Sequence, residues 1–215
     1  MAERTIFAGR TATPQPDGTL LLHIPTLGDI TFTRITTEFF DVSVGRFFTD
    51  AVSWLACEAI TTGTSTTTFS PDDTVTRGQM AAFLWRFDGR PDPTSLDTPF
   101  TDVPAGRFFS AAVAWLAEQG ITTGTTATTF SPDDPVTRGQ MAAFFWRFSG
   151  SPDPASLNTP FTDVPAGRFF SVAVAWLVEQ GITTGTTPTT FSPDDPVTRG
   201  QMAAFLWRLA GEPAV

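Results

Sequence analysis

The 215-residue sequence contains no lysine and no tyrosine, one cysteine and one histidine. Each absence removes a class of chemistry. A single cysteine, Cys57, allows no internal disulfide, and with only His23 beside it no Cys/His zinc set can be assembled within one chain. Cys57 falls in an apolar helical stretch and is expected as a small buried hydrophobe rather than a reactive thiol. No apolar run approaches the ~20 residues that cross a bilayer. The N-terminus "MAERTIFAGRTATPQPDG" lacks the basic-then-apolar layout of a signal peptide, so the chain reads as mature, as a fragment, or as one that is not secreted. The formal net charge of −9 argues against a nucleic-acid binder, which normally carries a basic face. No cofactor and no metal is expected: the "SPDD" turns offer carboxylates but lack the EF-hand ligand spacing.

What is present is a repeat. With 41% hydrophobic and 13% aromatic residues there is material for a packed core. Trp54, Trp115 and Trp176 are 61 residues apart, and so are Trp85, Trp146 and Trp207. Three copies are assigned to residues 39–89, 100–150 and 161–211, behind an arm of residues 1–38. "RPDPTSLDTP" and "SPDPASLNTP" join the copies as ordered, extended connectors. In the arm, "TLLLHIP" and "DITFTRI" flank the turn-like "TLG" and predict a short β-hairpin, either a cap on the repeats or the end of another domain.

Each copy reads as helix–loop–helix. In the second, the first helix is predicted over 107–119, with Gly120 as the left-handed residue after it. That helix is apolar nearly all round and demands burial on several sides. The loop "ITTGTTATTFSPDDPV" follows, its "SPDD" having the composition of a type I turn. In "VTRGQM", Thr137 caps the second helix, Gln140 completes a capping box, and Val136 with Met141 forms a hydrophobic staple. Met141, Phe144, Phe145 and Phe148 make its core stripe; Trp146 lies off that stripe, free to pack or to face a pyranose ring.

This places Arg77, Arg138 and Arg199 at the first helical position, where the helix dipole penalises a cation by a few tenths to about 1 kcal/mol. Two explanations compete. One is a salt bridge within the copy, from Arg138 to Asp133 or Asp134 in the preceding turn, worth only ~0–1 kcal/mol if exposed. The other is an anion site, formed by the unpaired N–H groups of the helix start and the two-pronged guanidinium. Asp41, Asp102 and Asp163, just ahead of each first helix, serve as turn or cap residues. Alternatively they accept hydrogen bonds from sugar hydroxyls, or hold an arginine, including one from a neighbouring copy.

Taken together, "FTDV", "AVAWLAEQGITTGT", "FSPDDPVTR" and "TRGQMAAFFWR" resemble the S-layer homology (SLH) repeat of bacterial surface proteins. The match spans 39–211, about four-fifths of the chain, and occurs three times. The resemblance implies a mainly α fold with pseudo-threefold arrangement around a central three-helix bundle. It further implies grooves between repeats that bind a secondary cell-wall polysaccharide, typically one carrying pyruvate ketals, at an extracellular cell-wall location. Carried over as ligand-binding residues are Arg77, Arg138, Arg199, Asp41, Asp102 and Asp163, together with the loop glycines Gly63, Gly124 and Gly185. Two departures stand out. The family's "TRAE" is "TRGQ" here, so Gln79, Gln140 and Gln201 replace a glutamate. Repeat one reads "FFDV" for "FTDV", and its aspartate is expected out of register and its groove altered or silent.

The expected function is a non-catalytic cell-wall anchoring module binding an acidic polysaccharide, with no nucleic acid and no membrane span. On this reading, replacing Arg138 and Arg199 by glutamine abolishes wall binding and leaves the melting temperature nearly unchanged. The rival is a protein-interaction or self-assembly scaffold that engages other surface proteins through the same surface. A glycosidase requires two carboxylates in contrasting environments, whereas most acids here lie in turns, and His23 lies outside the repeats.

Overall fold

The computed structural model describes residues 39–215 and, of the first 38, the backbone of four strands. The chain divides into two compact units, Met1–Glu38 and Phe39–Val215. In the first, β1 (Arg4–Ile6), β2 (Arg10–Pro14), β3 (Thr19–Ile24) and β4 (Gly28–Thr33) pair antiparallel in sequential order. The two apolar stretches read as a hairpin fall on β3 and β4, which pair from Thr19 opposite Thr33 to Ile24 opposite Gly28. Strands β1 and β2, "RTI" and "RTATP", carry no apolar run and were not anticipated.

The second unit is mainly helical. Each repeat supplies two helices: α1 (Thr49–Cys57) and α2 (Arg77–Phe87), α3 (Ser110–Glu118) and α4 (Arg138–Phe148), then α5 (Ser171–Glu179) and α6 (Arg199–Leu209). The first helix of repeat two starts at Ser110, not at Arg107. The Ser110 hydroxyl donates to Pro104 O at 2.7 Å and accepts from Arg107 N at 3.0 Å, tying residues 104–109 into a turn that cannot also be helix. Thr49 and Ser171 do the same in the other repeats.

The second helices start as their sequence dictates. Thr76, Thr137 and Thr198 each accept from the N3 backbone, and Gln79, Gln140 and Gln201 reach back to the cap N–H, so all three capping boxes close. Val136 and Met141 are fully buried. Asp134 N donates to Ser131 O at 3.2 Å, closing the "SPDD" turn.

Packing joins the repeats in a ring. Helix α2 packs on α3, α4 on α5, and α6 on α1. At the start of the second helices, Val136 N donates to Val75 O at 2.9 Å, Val197 N to Val136 O at 3.0 Å, and Val75 N to Val197 O at 2.8 Å. Three extended segments thus satisfy one another's valine backbone groups in a closed triangle. The core is continuous from Phe48 to Leu206, with Trp54, Trp115 and Trp176 buried in it. Trp85, Trp146 and Trp207 are half-buried, and their indole N–H groups donate to Pro91, Pro152 and Pro213 carbonyls at 2.8–2.9 Å. These tryptophans fasten the chain that leaves each repeat.

Two expectations are corrected here. Cys57 is exposed, because it stands at the last turn of α1 where the other repeats carry Glu118 and Glu179, beyond the buried face ending at Leu55. Repeat one is also in register. Asp41 follows Phe39 by two positions, as Asp102 follows Phe100, and it accepts from Phe69 N at 2.8 Å as Asp102 does from Phe130 N at 2.8 Å. The extra phenylalanine, Phe40, projects into solvent at 85% exposure in the place of Thr101.

Candidate functional site

The arginine at the helix start works between repeats. Its backbone N–H and that of the next glycine do not stay free: Arg138 N donates to Asp195 O at 2.9 Å and Gly139 N to Pro193 O at 2.8 Å. With Gln140 N bonded to Thr137 Oγ1 at 3.3 Å, the first three amides of α4 are spent on protein acceptors. The helix starts of α2 and α6 are consumed in the same way, on Asp134 and Pro132 and on Asp73 and Pro71. The open helix N-terminus imagined for an anion is therefore closed by the loop of the adjoining repeat.

The side chain follows the backbone across the junction. Arg77 Nε donates to Phe130 O at 2.7 Å, Arg138 Nε to Phe191 O at 2.6 Å and Arg199 Nε to Phe69 O at 2.6 Å. Each guanidinium lies over the same phenylalanine ring, 4.6–4.7 Å from its centroid, and 5.4–5.6 Å from a second ring, Phe144, Phe205 or Phe83. All three arginines are only 3–5% exposed. Burial holds the Arg138 guanidinium below the usual arginine range, while Asp195 and Asp163 of repeat three push it back up. The salt bridge proposed to Asp133 or Asp134 does not form; among the described residues the acids that act on Arg138 belong to another repeat.

The aspartates hold the loops that the arginines grip. Asp102 accepts from Phe130 N at 2.8 Å and Ser131 N at 2.7 Å, one amide on each oxygen, and Asp41 and Asp163 repeat this at Phe69/Ser70 and Phe191/Ser192. A line runs from the Asp102 carboxylate through the Phe130 peptide to the Arg77 guanidinium. Gly63, Gly124 and Gly185 sit at φ of +78° to +85°, and a Cβ there would strike loop carbonyls and the rings of Phe39, Phe100 or Phe161.

Two grooves open beside these clamps. The first, about 510 Å³, is lined by the Thr61–Thr64 loop, Gln79, Phe83 and Arg86 of repeat one, Arg199 of repeat three and Phe108 of repeat two. The second, about 420 Å³, is lined by the Thr122–Thr125 loop, Gln140, Phe144 and Arg147 of repeat two, Arg77 of repeat one and Phe169 of repeat three. Each groove is thus assembled from all three repeats. Arg199 with Gly63 and Arg77 with Gly124 meet there, as the sequence reading put them together; Arg138, Gly185, Asp41, Asp102 and Asp163 line neither groove. At the third junction Arg138 lies over Phe191 and Phe205, and its Nη2 is buried with no partner among the described residues.

Sequence reasoning missed two kinds of lining residue. Arg86 and Arg147 are half-buried on the groove wall, each donating to a main-chain carbonyl, Ile60 O at 3.4 Å and Ile121 O at 3.5 Å. Burial lowers the Arg86 pKa first and Arg90 second; Arg199 is likewise lowered by burial, raised by Asp73 and Asp41 and lowered a little by Arg86, and the two cations share the first groove. Phe108 and Phe169 are 57% and 59% exposed and offer aromatic faces at the groove. The signal available for both was the 61-residue recurrence of "WRF" or "WRL" and of "RFF". Neither groove is lined by an aspartate or glutamate among the described residues.

Comparison with known proteins follows the same lines. The model of the S-layer homology domain matches residues 43–81, 99–142 and 160–203, more than half of the chain. An endoglucanase of Bacillus sp. (strain KSM-635) is 39% identical over 51% of this chain and 11% of its own length. A cell surface protein of Thermoanaerobacter kivui is 33% identical over 53% of this chain and 16% of its own. An S-layer protein of Bacillus thuringiensis subsp. finitimus is 25% identical over 79% of this chain and 21% of its own. The chain therefore spans about a tenth to a fifth of the length of these relatives.

Proposed function

This chain belongs to the S-layer homology domain family, and on that premise we propose that it is a non-catalytic module anchoring a protein to the bacterial cell wall, its inter-repeat grooves binding an acidic wall polysaccharide. Relatives named as surface and S-layer proteins support the anchoring role. We read the closed ring of repeat contacts as the pseudo-threefold arrangement that the family resemblance implies.

One observation carries the choice of ligand. In a protein of net charge −9, each of the two grooves gathers two arginines and no carboxylate. Arg86 and Arg199 both line the first groove, so an anion that enters there meets two cations. A pyruvate ketal or another acidic substituent on a sugar supplies that charge, while Phe108 or Phe169 supplies a stacking face for the ring. The aspartates act at one remove, by holding the loop that orients the buried arginine.

The test is co-sedimentation with purified bacterial sacculi, before and after chemical removal of acidic substituents. Arg86→Gln with Arg147→Gln, both half-buried and outside the inter-repeat clamp, is expected to abolish co-sedimentation, as is stripping the polymer. Sedimentation unchanged by both treatments overturns the acidic-glycan reading, and capture of a protein partner in its place favours the scaffold.

A further inference from the structure

The three repeats differ in charge at one position beside the groove wall. Arg90, Ser151 and Glu212 stand 61 residues apart, each directly after the glycine that follows its second helix. All three take the left-handed backbone, at φ +61°, +57° and +53°, and their amides donate to Trp85, Trp146 and Trp207 carbonyls at 2.8–2.9 Å. The backbone is the same in each copy, while the side chain runs from cation through neutral hydroxyl to anion. Local stability does not explain the series. A left-handed position asks for glycine or asparagine, and the negative end of a helix favours Arg90 but penalises Glu212.

The neighbouring arginines supply the reason. Four residues upstream stand Arg86, Arg147 and Arg208, whose Nη1 atoms donate to Ile60, Ile121 and Ile182 carbonyls at 3.3–3.5 Å. In repeat one, Arg90 Nη2 donates to Ala59 O at 2.7 Å, so two guanidinium groups bind consecutive carbonyls at the entry to the Thr61–Thr64 loop. Burial first and Arg90 second hold the Arg86 guanidinium below the usual arginine range. The acids nearest in sequence, Glu58 and Asp88, form no ion pair with either arginine among the described residues. In repeat three, Glu212 Oε1 lies 3.7 Å from Arg208 Nε and spends the equivalent cation on an ion pair. Ser151 does neither, and Arg147 has no ion pair among the described residues. The clamp arginines do not rank the junctions, because each meets two aspartates: Asp134 and Asp102 at Arg77, Asp195 and Asp163 at Arg138, Asp73 and Asp41 at Arg199.

We infer that Arg90, Ser151 and Glu212 set the anion affinity of each repeat's face, ranking the first groove above the second and silencing the corresponding face of repeat three. Arg90 lies outside the groove lining and acts on a ligand through space, by adding its charge to that of Arg86. The group that reads the ranking is a negatively charged substituent of a wall glycan; a neutral sugar does not read it. This ranking rests on the grooves being acidic-glycan sites, and it reverses the expectation that repeat one is the altered or silent copy.

Titrations against intact sacculi at low ionic strength test it with single-groove variants. Arg86→Gln leaves the second groove and Arg147→Gln leaves the first. The Arg147→Gln chain is expected to bind about two- to fivefold more tightly than the Arg86→Gln chain, the scale of one exposed charge. Adding Arg90→Ser to Arg147→Gln removes that advantage, and the advantage shrinks as salt is raised toward ~1 M, where the Debye length falls to about 3 Å. Adding Glu212→Ser to the Arg86→Gln/Arg147→Gln chain is expected to restore sedimentation with intact sacculi but not with sacculi stripped of acidic substituents. Serine is native to this backbone position in repeat two, so thermal midpoints are expected to hold. An Arg147→Gln chain indifferent to Arg90→Ser, or no recovery with Glu212→Ser, overturns the ranking and leaves wall anchoring standing. Failure of the parent chain itself to bind overturns both.

Discussion

Arg77 Nε lies 2.7 Å from the carbonyl oxygen of Phe130, with the guanidinium stacked over the same residue's ring. The two residues belong to different repeats, 53 positions apart. The cation that looks misplaced at its own helix start is thereby well placed in the assembly. The helix-start amides are already bonded, and carboxylates of the receiving repeat lie close enough to stabilise the charge.

Arg138→Gln is accordingly expected to weaken the fold as well as binding, against the sequence expectation of an unchanged melting temperature. It removes a charged hydrogen bond to Phe191 O and two ring contacts. The loss is roughly 2–4 kcal/mol, from a charged hydrogen bond and a desolvated cation–π contact. Urea midpoints measure it. A shift within about 0.5 kcal/mol, ordinary for a surface change, refutes the clamp.

Gly139 is predicted to be essential because of a residue in the next repeat. A Cβ built on it comes 2.8 Å from Phe170 Cδ1 and 3.2 Å from Pro193 O. Gly139→Ala is expected to cost roughly 1–3 kcal/mol through overpacking, although alanine favours helix by about 1 kcal/mol. The double variant with Phe170→Leu recovers part of the loss, and calorimetry on the four proteins of the cycle reads the coupling. Strict additivity refutes the contact.

Ala59 marks a site that a single substitution improves. It ends α1 at φ +55°, where Gly120 and Gly181 hold φ +68° and +69° in the other repeats. Ala59→Gly is expected to gain about 0.5–1 kcal/mol by removing left-handed strain, a rise of roughly 2–4 °C per kcal/mol in the thermal midpoint for a chain of this size.

Glu118 ties the first connector to α3. It accepts from the Thr94 hydroxyl and from Thr94 N, the latter at 2.9 Å, and these bonds hold its carboxyl below the ordinary glutamate range. A depressed folded-state pKa contributes stability above the unfolded value of about 4.3 and loses it as pH falls through the folded value. The stability difference between the chain and Glu118→Gln is expected to be constant above about pH 5 and to close in more acidic solution. Denaturation midpoints across that range test it, and a difference independent of pH refutes the tie.

Much of the second unit was legible because its signals are local. The Thr137 cap, the Gln140 box, the "SPDD" turn and Gly120 each depend on residues within a few positions of one another. Cys57 misled because apolar neighbours do not say where a helix's buried face ends. Strands β1 and β2 stayed hidden because "RTI" and "RTATP" carry no apolar pattern.

By itself the sequence determined that three like copies exist, where their second helices begin, and that an arginine, a glutamine and a loop glycine recur in each. Only the tertiary structure decided that each arginine serves the adjoining repeat, that the aspartates brace loops, and that each groove takes residues from all three copies. The physical reason lies in the repetition. When three copies offer the same donors and acceptors, a bond within a copy and a bond between copies look identical in sequence. Burial and distance in the closed ring alone choose between them.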